Sequence, residues 1–344
     1  MYGTDSDYRI LPREIAWPDC GKGEEMIRIS CCMIVKNEEK ILARCLDSIA
    51  DLMDEIIIVD TGSEDKTKEI ASRYTDKIYD FEWIDDFSAA RNFAFSKAEG
   101  DYIYSADADE VVDEENRERF RELKQILLPE IDIVQMKYGN QLSYGTAYNF
   151  DEEYRPKLFK RLREFIWTEP IHEMVRLDPI VYDSEIVICH MPENSHSKRD
   201  FATFQKHIAG GLRLSKRLHH MYAMELYISG DDSDFLEAEP FFTESALDTS
   251  RSIDEVKEAA CVVCRAARLR DDSHTMLKMS LKDLLSEGSS EMCYELGEYF
   301  YAKGDFAEAA MWYYNAANET QSILNIHTST DWPQKRLEEL EQQG

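Results

Sequence analysis

The chain has 344 residues, 43% of them hydrophobic, which suffices for two domains that each bury a core of their own. Asp and Glu number 69 against 40 Lys and Arg, a formal charge of −29, and such a field repels nucleic-acid backbones and anionic lipid surfaces. No stretch has the order of a signal peptide or the ~20 apolar residues of a membrane span, so a cytoplasmic protein with reduced cysteines is expected, without nucleic-acid or transmembrane contacts.

Residues 1–25 lack periodicity and read as an irregular leader. The apolar run Met26 to Val35 then reads as a buried strand, and Glu38 to Ala50 carries apolar residues at helical spacing. Glu55 to Val59 is a second strand, and Ser63 is expected to cap a helix running to Tyr74. Lys77 to Phe81, Ser88 to Ala98 and Asp101 to Ser105 follow as strand, helix and strand. This alternation predicts an α/β domain with a Rossmann-like, mostly parallel sheet over residues 26–195. From about Ile131 the pattern becomes short strands separated by loops. Residues 196–344 read as an all-α domain.

Within that second domain, Met221 to Phe242 echoes Cys293 to Tyr314, with aromatics flanking a Gly-Asp turn and room for one copy between them. Leu296-Gly297, Tyr301, Gly304-Asp305-Phe306 and Ala309 resemble a tetratricopeptide repeat of 34 residues. Such hairpins stack, and an exposed end can bind a partner chain or a second copy of the protein, a homodimer. Tyr299, Phe300, Trp312 and Tyr313 are candidates for that surface or for packing between helices. Cys261 and Cys264 have CxxC spacing, but with no second pair and no flanking turn they are read as core thiols. His219 and His220, in a basic helical stretch, are expected at the surface.

Open parallel sheets bind ligands at the carboxyl ends of their strands. Three polar motifs fall there: Lys36-Asn37-Glu38, Asp60-Thr61-Gly62-Ser63 and Asp107-Ala108-Asp109. Two carboxylates at i and i+2 can converge on a hard cation, Mg²⁺ or Mn²⁺, which would also let a protein this acidic hold a diphosphate. Asp60 can accept the imide N–H of a uracil, or can simply shape a polar turn. Arg91, in the first turn of its helix, suits a phosphate or can pair with Asp85 and Asp86. Asn37 can belong to the ligand loop or cap the next helix.

Taken together, CMIVKNEEKILARCLDSI, DEIIIVDTGSEDKTKEIA, DFSAARN, GDYIYSADADE and IHE resemble the family 2 glycosyltransferases of GT-A fold. The similarity is greatest to the branch joined to helical tetratricopeptide-like repeats. That branch includes S-glycosyltransferases of bacteriocin peptides and relatives of lipopolysaccharide-core glucosyltransferases.

The resemblance implies inverting transfer of a hexose from a UDP-sugar, with Mn²⁺ or Mg²⁺, to a peptide side chain, a glycan or a lipid-linked saccharide. On it Lys36, Asn37, Glu38, Asp60, Arg91 and Asp107 would contact the donor, and Asp107 and Asp109 the metal. The family's usual acidic pair for the catalytic base has no counterpart downstream; the best match is His172-Glu173, with Glu173 or His172 as base. His190, ending an apolar strand, is either a third metal ligand or a structural histidine. Two readings of other classes compete. One is a degenerate transferase domain serving as a repeat-based scaffold. The other is a nucleotidyltransferase, which would want a Gly-rich basic loop where KNEE stands.

Overall fold

The computed structural model describes residues 9–10, 27–139, 153–161, 167–168, 171, 174–175, 179–191, 197–283 and 287–342. These divide into two compact units, the first ending before residue 195. In the first, strands β1 (Arg9–Ile10), β2 (Ile29–Val35), β3 (Glu55–Asp60), β4 (Ile78–Asp80), β5 (Tyr102–Ala106) and β6 (Glu110–Val111) are followed by β7 (Ile133–Gly139), β8 (Glu153–Lys160) and β11 (Ile180–His190). Among the described residues these nine form one sheet in the order β1-β11-β7-β8-β5-β2-β3-β4, with β6 pairing β11 at the side. Between β8 and β11, Trp167–Thr168 (β9) and Met174–Val175 (β10) make a small antiparallel pair of their own. The expectation of an α/β domain with a mostly parallel sheet followed by an all-α region holds.

Strand β2 is buried almost throughout because both its faces are covered. Cys31, Met33 and Val35 join the cluster that contains Leu42, Cys45, Leu46 and Ile49 of α1 (Leu42–Ile49). On the other face, Cys32 meets Ala94 and Phe95 of α3 (Phe87–Phe95) together with Ile57, Val59 and Ile103. Alternate residues of one strand thus serve two cores, as the period of two requires.

The structure departs from the expected elements in several places. The short α2 (Thr67–Ala71) starts four residues after Ser63, so Ser63 does not cap it. Asn37 does not cap α1, which begins at Leu42; it takes φ +57° instead. The chain also contains α4 (Glu114–Ile126), in a stretch for which the sequence predicts no element. Its charged residues mask a narrow apolar stripe, Phe120 and Leu123, but the Asp113 carboxylate accepting from the Asn116 N–H is an N-cap legible in the sequence. Most consequentially, β8 runs antiparallel between β5 and β7, inside the mostly parallel sheet.

The second unit is helical: α5 (Ser197–Ala209), α6 (Lys216–Ser229), α7 (Asp232–Leu247), α8 (Ile253–Leu269), α9 (Ser273–Asp283), α10 (Ser290–Ala302), α11 (Phe306–Asn318) and α12 (Asp331–Glu341). Ser215, Ser252 and Ser289 cap α6, α8 and α10 in turn, 37 residues apart. The repeat is therefore real, but its period is 37 rather than 34. Asp231, Asp272 and Asp305 begin the second helix of each hairpin by accepting backbone N–H groups. Among the described residues no helix is long and apolar enough to cross a membrane.

Cys261 and Cys264 are fully buried, and burial pushes both thiols up, as inert core thiols require. His219, expected at the surface, is fully buried, with Nδ1 3.0 Å from Glu258 Oε2; His220 shares the same carboxylate at 2.7 Å. Tyr313 is likewise a core residue, while Phe306, Met311 and Tyr314 are the exposed apolar side chains of that hairpin.

Gly297 lets α10 and α11 approach closely: a Cβ there would lie 2.5 Å from the Tyr313 ring. Gly→Ala within a helix ordinarily stabilises by about 1 kcal/mol. Here overpacking reverses the sign, and Gly297→Ala is expected to cost a net ~1–2 kcal/mol, read as a lower urea midpoint at unchanged m-value.

Candidate active site

The carboxyl ends of β2, β3 and β5 lie side by side because these strands pair in parallel, with Val35 opposite Asp60 and Met33 opposite Ala106. The loops after β2 and β3 are laced together. The Asn37 N–H donates to Ser63 Oγ at 2.9 Å, and Asn37 Oδ1 accepts from the Glu64 N–H at 2.8 Å. The Glu38 N–H donates to Thr67 Oγ1, the Glu39 N–H to Asp65, and the Lys66 N–H to the Glu39 carboxylate. KNEE thus works largely through backbone and amide, with Lys36 left exposed at the edge.

Asp60 is 1% exposed and ends β3. Its Oδ1 accepts from the Gly62 and Ser63 N–H groups at 2.9 and 2.8 Å, which folds the turn around it. Gly62 at φ +100° is what lets the backbone double back this tightly. The other oxygen, Oδ2, is buried with no hydrogen-bond partner. An anionic acceptor in that condition is costly unless something binds it.

At the end of β5, Asp107 faces cations from two elements. Arg91 of α3, 8% exposed, donates to Ser105 Oγ and lies 3.5 Å from Asp107 Oδ1. Lys157 of β8 stands 3.9 Å from Asp107 Oδ2. Enclosure by the protein raises the Asp107 carboxyl, but Lys157, Arg91 and Arg155 outweigh it and hold it down at about 2. Asp86 keeps to the cap of α3, accepting from the Ala89 N–H at 3.0 Å.

Two residues on, Asp109 is turned the other way. Strand β6 pairs with the end of β11, His190 opposite Glu110, and the Met191 N–H donates to the Asp109 carbonyl. That pairing sets His190 Nε2 2.9 Å from Asp109 Oδ2. The imidazole packs on the Tyr138 ring with centroids 5.0 Å apart, and the Arg155 guanidinium lies over that ring at 4.0 Å. Asp109 Oδ1 is buried and has no hydrogen-bond partner. Glu110, 2% exposed, pairs with Lys157 at 2.5 Å; burial lifts its carboxyl above the usual carboxylate range.

The structure thus gathers Asp107, Asp109, Arg91 and His190 around the end of β5, and sets Asp60 and the KNEE loop at the neighbouring strand ends. Among the described residues no three His, Cys, Asp or Glu side chains form a ready cluster for a metal. The Asp109 carboxylate, with one spare oxygen, and the His190 imidazole could together hold one divalent ion; the carboxylate suits Mn²⁺ or Mg²⁺, and the imidazole favours Mn²⁺ of the two. Asp107 is held instead by guanidinium and ammonium, which fits it poorly for direct ligation. His172 and Glu173 lie outside the described residues. Lys157 and Arg155 were not singled out from sequence, because nothing in RPKLFKR tells that its strand enters the sheet antiparallel beside β5.

The family model described as Glycosyl transferase family 2 matches residues 30–176, which span this site. Residues 30–176 form a family 2 glycosyltransferase domain. The chain is 50% identical over 88 residues to a TPR repeat-containing protein of Synechococcus elongatus, a match covering 26% of this chain and 22% of that one. It is 37% identical over 101 residues to the SPbeta prophage-derived glycosyltransferase SunS of Bacillus subtilis, covering 29% and 24%. An uncharacterized glycosyltransferase of Rickettsia prowazekii is 33% identical over 145 residues, covering 40% and 45%. The chain therefore spans less than half the length of each of these relatives. Among solved structures, Mycobacterium tuberculosis glucosyl-3-phosphoglycerate synthase aligns over 55% of this chain and 82% of its own, with 17% identity and a TM-score of 0.41.

Asn37 offers a test of the laced loops within this family 2 domain. Asn37→Gly removes the amide's bond to Glu64 but keeps the φ +57° backbone at ease, whereas Asn37→Ala loses both. Asn37→Ala should therefore cost about 1 kcal/mol more than Asn37→Gly in chemical denaturation.

Proposed function

We propose that the protein is an inverting, metal-dependent glycosyltransferase that moves a hexose from a UDP-sugar to a peptide side chain, a glycan or a lipid-linked saccharide. The observation carrying this reading is that two carboxylates of the family 2 domain, Asp60 at the end of β3 and Asp109 after β5, on either side of β2, each keep one buried oxygen without a hydrogen-bond partner. The Asp60 oxygen accepts the uracil imide N–H, a contact that guanine and cytosine do not reproduce in the same geometry. The KNEE loop, laced to the Asp60 turn, closes the base pocket, and Lys36, Asn37 and Glu38 line its edge. Asp109 and His190 hold the divalent ion, which when bound neutralises the diphosphate as it leaves. Asp107, kept ionised by Arg91 and Lys157, receives the ribose hydroxyls, and Arg91 draws the diphosphate to the head of α3.

Inversion by a single displacement needs a base on the acceptor side. Glu173, with His172 beside it, is the proposed base, worth ~10²–10⁴-fold in rate. In support, the strand Trp167–Thr168 packs on α3, the helix that carries Arg91. The 37-residue helical repeats are the module proposed to engage the acceptor, a partner or a second copy of the chain. The Rickettsia prowazekii and SunS relatives are named glycosyltransferases, which agrees with this activity.

Isothermal calorimetry with Mn²⁺ present should show UDP binding more tightly than GDP or CMP, and Asp60→Ala should narrow the gap. Equal affinities for the three would remove the uridine assignment. EDTA should abolish hydrolysis of UDP-hexose, and turnover that persists in EDTA would remove the metal from the mechanism. Glu173→Gln should lower kcat by at least ~10²-fold with little change in donor affinity. Tight UDP binding without turnover on any sugar donor would favour the scaffold reading instead.

A further inference from the structure

Lys157 sits where an ordinary solvent-seeking lysine would not, 5% exposed in the middle of the sheet, on the strand that runs antiparallel to its neighbours. Its ammonium touches two carboxylates of one four-residue turn, Glu110 Oε1 at 2.5 Å and Asp107 Oδ2 at 3.9 Å. Glu110 Oε2 is buried with no hydrogen-bond partner, so Lys157 is the cation that meets this carboxylate among the described residues. Asp107 and Asp109 in the turn and Glu110 at the start of β6 thus bring three carboxylates together, with Arg91, Lys157 and Arg155 as cations near them.

We infer that Lys157 is a positioning residue of the donor site: by clamping Glu110 and Asp107 together it sets the β5–β6 turn so that Asp109 alone of the three is presented to a divalent ion. This rests on the reading of Asp109 and His190 as the ion's ligands. The physical argument is one of charge and leverage. Glu110 is the first residue of β6 and pairs with His190 across the ladder, so a force on its side chain acts on the same two-strand contact that brings His190 to Asp109. Without Lys157, Glu110 would lose the ammonium that occupies it and ties it to β8. The turn could then let β6 shift outward, or Glu110 could take the incoming ion in place of Asp109. Either response removes the ion from the place where the diphosphate needs it. Lys157 reaches no reacting atom on this account and acts through the carboxylates alone.

The measurement is the Mn²⁺-dependent gain in UDP affinity, obtained by calorimetry with and without Mn²⁺ on the full chain. Lys157→Met should lower that gain by at least ~10-fold. Lys157→Arg should keep most of the gain. The double variant Lys157→Met with Glu110→Gln removes the carboxylate that would compete for the ion and should return to within about threefold of the parent. A Lys157→Met protein with an unaltered gain would overturn the inference. So would a double variant as weak as the single one, since the lysine would then be touching the diphosphate itself. If Lys157→Met does not fold, the double variant decides alone, recovery supporting the inference and a loss beyond ~10-fold sinking it. A parent protein with no metal-dependent gain at all would instead refute the reading of the Asp109–His190 pair, together with the inference built on it.

Discussion

Three carboxylates, Asp107, Asp109 and Glu110, crowd the end of β5, and the cations that offset them from other elements organise the neighbourhood. Asp107 is met by Arg91 from α3 on one side and by Lys157 from β8 on the other. The chain as a whole is strongly acidic, so this compensation has to be local; no general positive field is available to supply it. Strand β8 enters antiparallel between β5 and β7 and carries Lys157 and Arg155 to this spot, while β11 returns beside β6 and carries His190. The same two strands that complete the sheet therefore complete the site.

The central strands, their order in the chain and the polar motifs at their ends were legible because each rests on local signals. An apolar run such as ISCCMIV reads as buried whatever surrounds it, and Asp60, Asp107 and Asp109 follow their strands directly. Contacts that join distant segments were not legible. Lys157 and Glu110 are 47 residues apart and His190 and Asp109 are 81 apart; only the sheet order, with its antiparallel insertion, brings them together. Asn37 illustrates the same limit from the other direction. Its local sequence suggests a helix cap, but its partners come from the loop after the next strand.

In the helical unit the aromatic echo located the repeats, and the N-cap serines give their true period. Aromatics shift along a helix as packing demands, so their spacing reports the repeat loosely. A cap residue is tied to the first turn of its helix by a backbone hydrogen bond, and so it marks the unit's start. His219 misled for a related reason: the charged residues around it in sequence lie on the outer side of α6, while the imidazole faces Glu258 and the Phe241 and Phe242 rings.

The lacing of the loops after β2 and β3 has a consequence for how this domain can diversify. Positions 37 and 39 in one loop and 63 to 67 in the other share their hydrogen bonds reciprocally, each supplying both donors and acceptors to its counterpart. In each of these bonds a side chain of one loop meets a backbone N–H of the other, so each side chain is constrained singly rather than as half of a pair. Relatives that keep this lacing are then expected to hold an acceptor side chain at positions 37, 39, 63 and 65, each independently of the others.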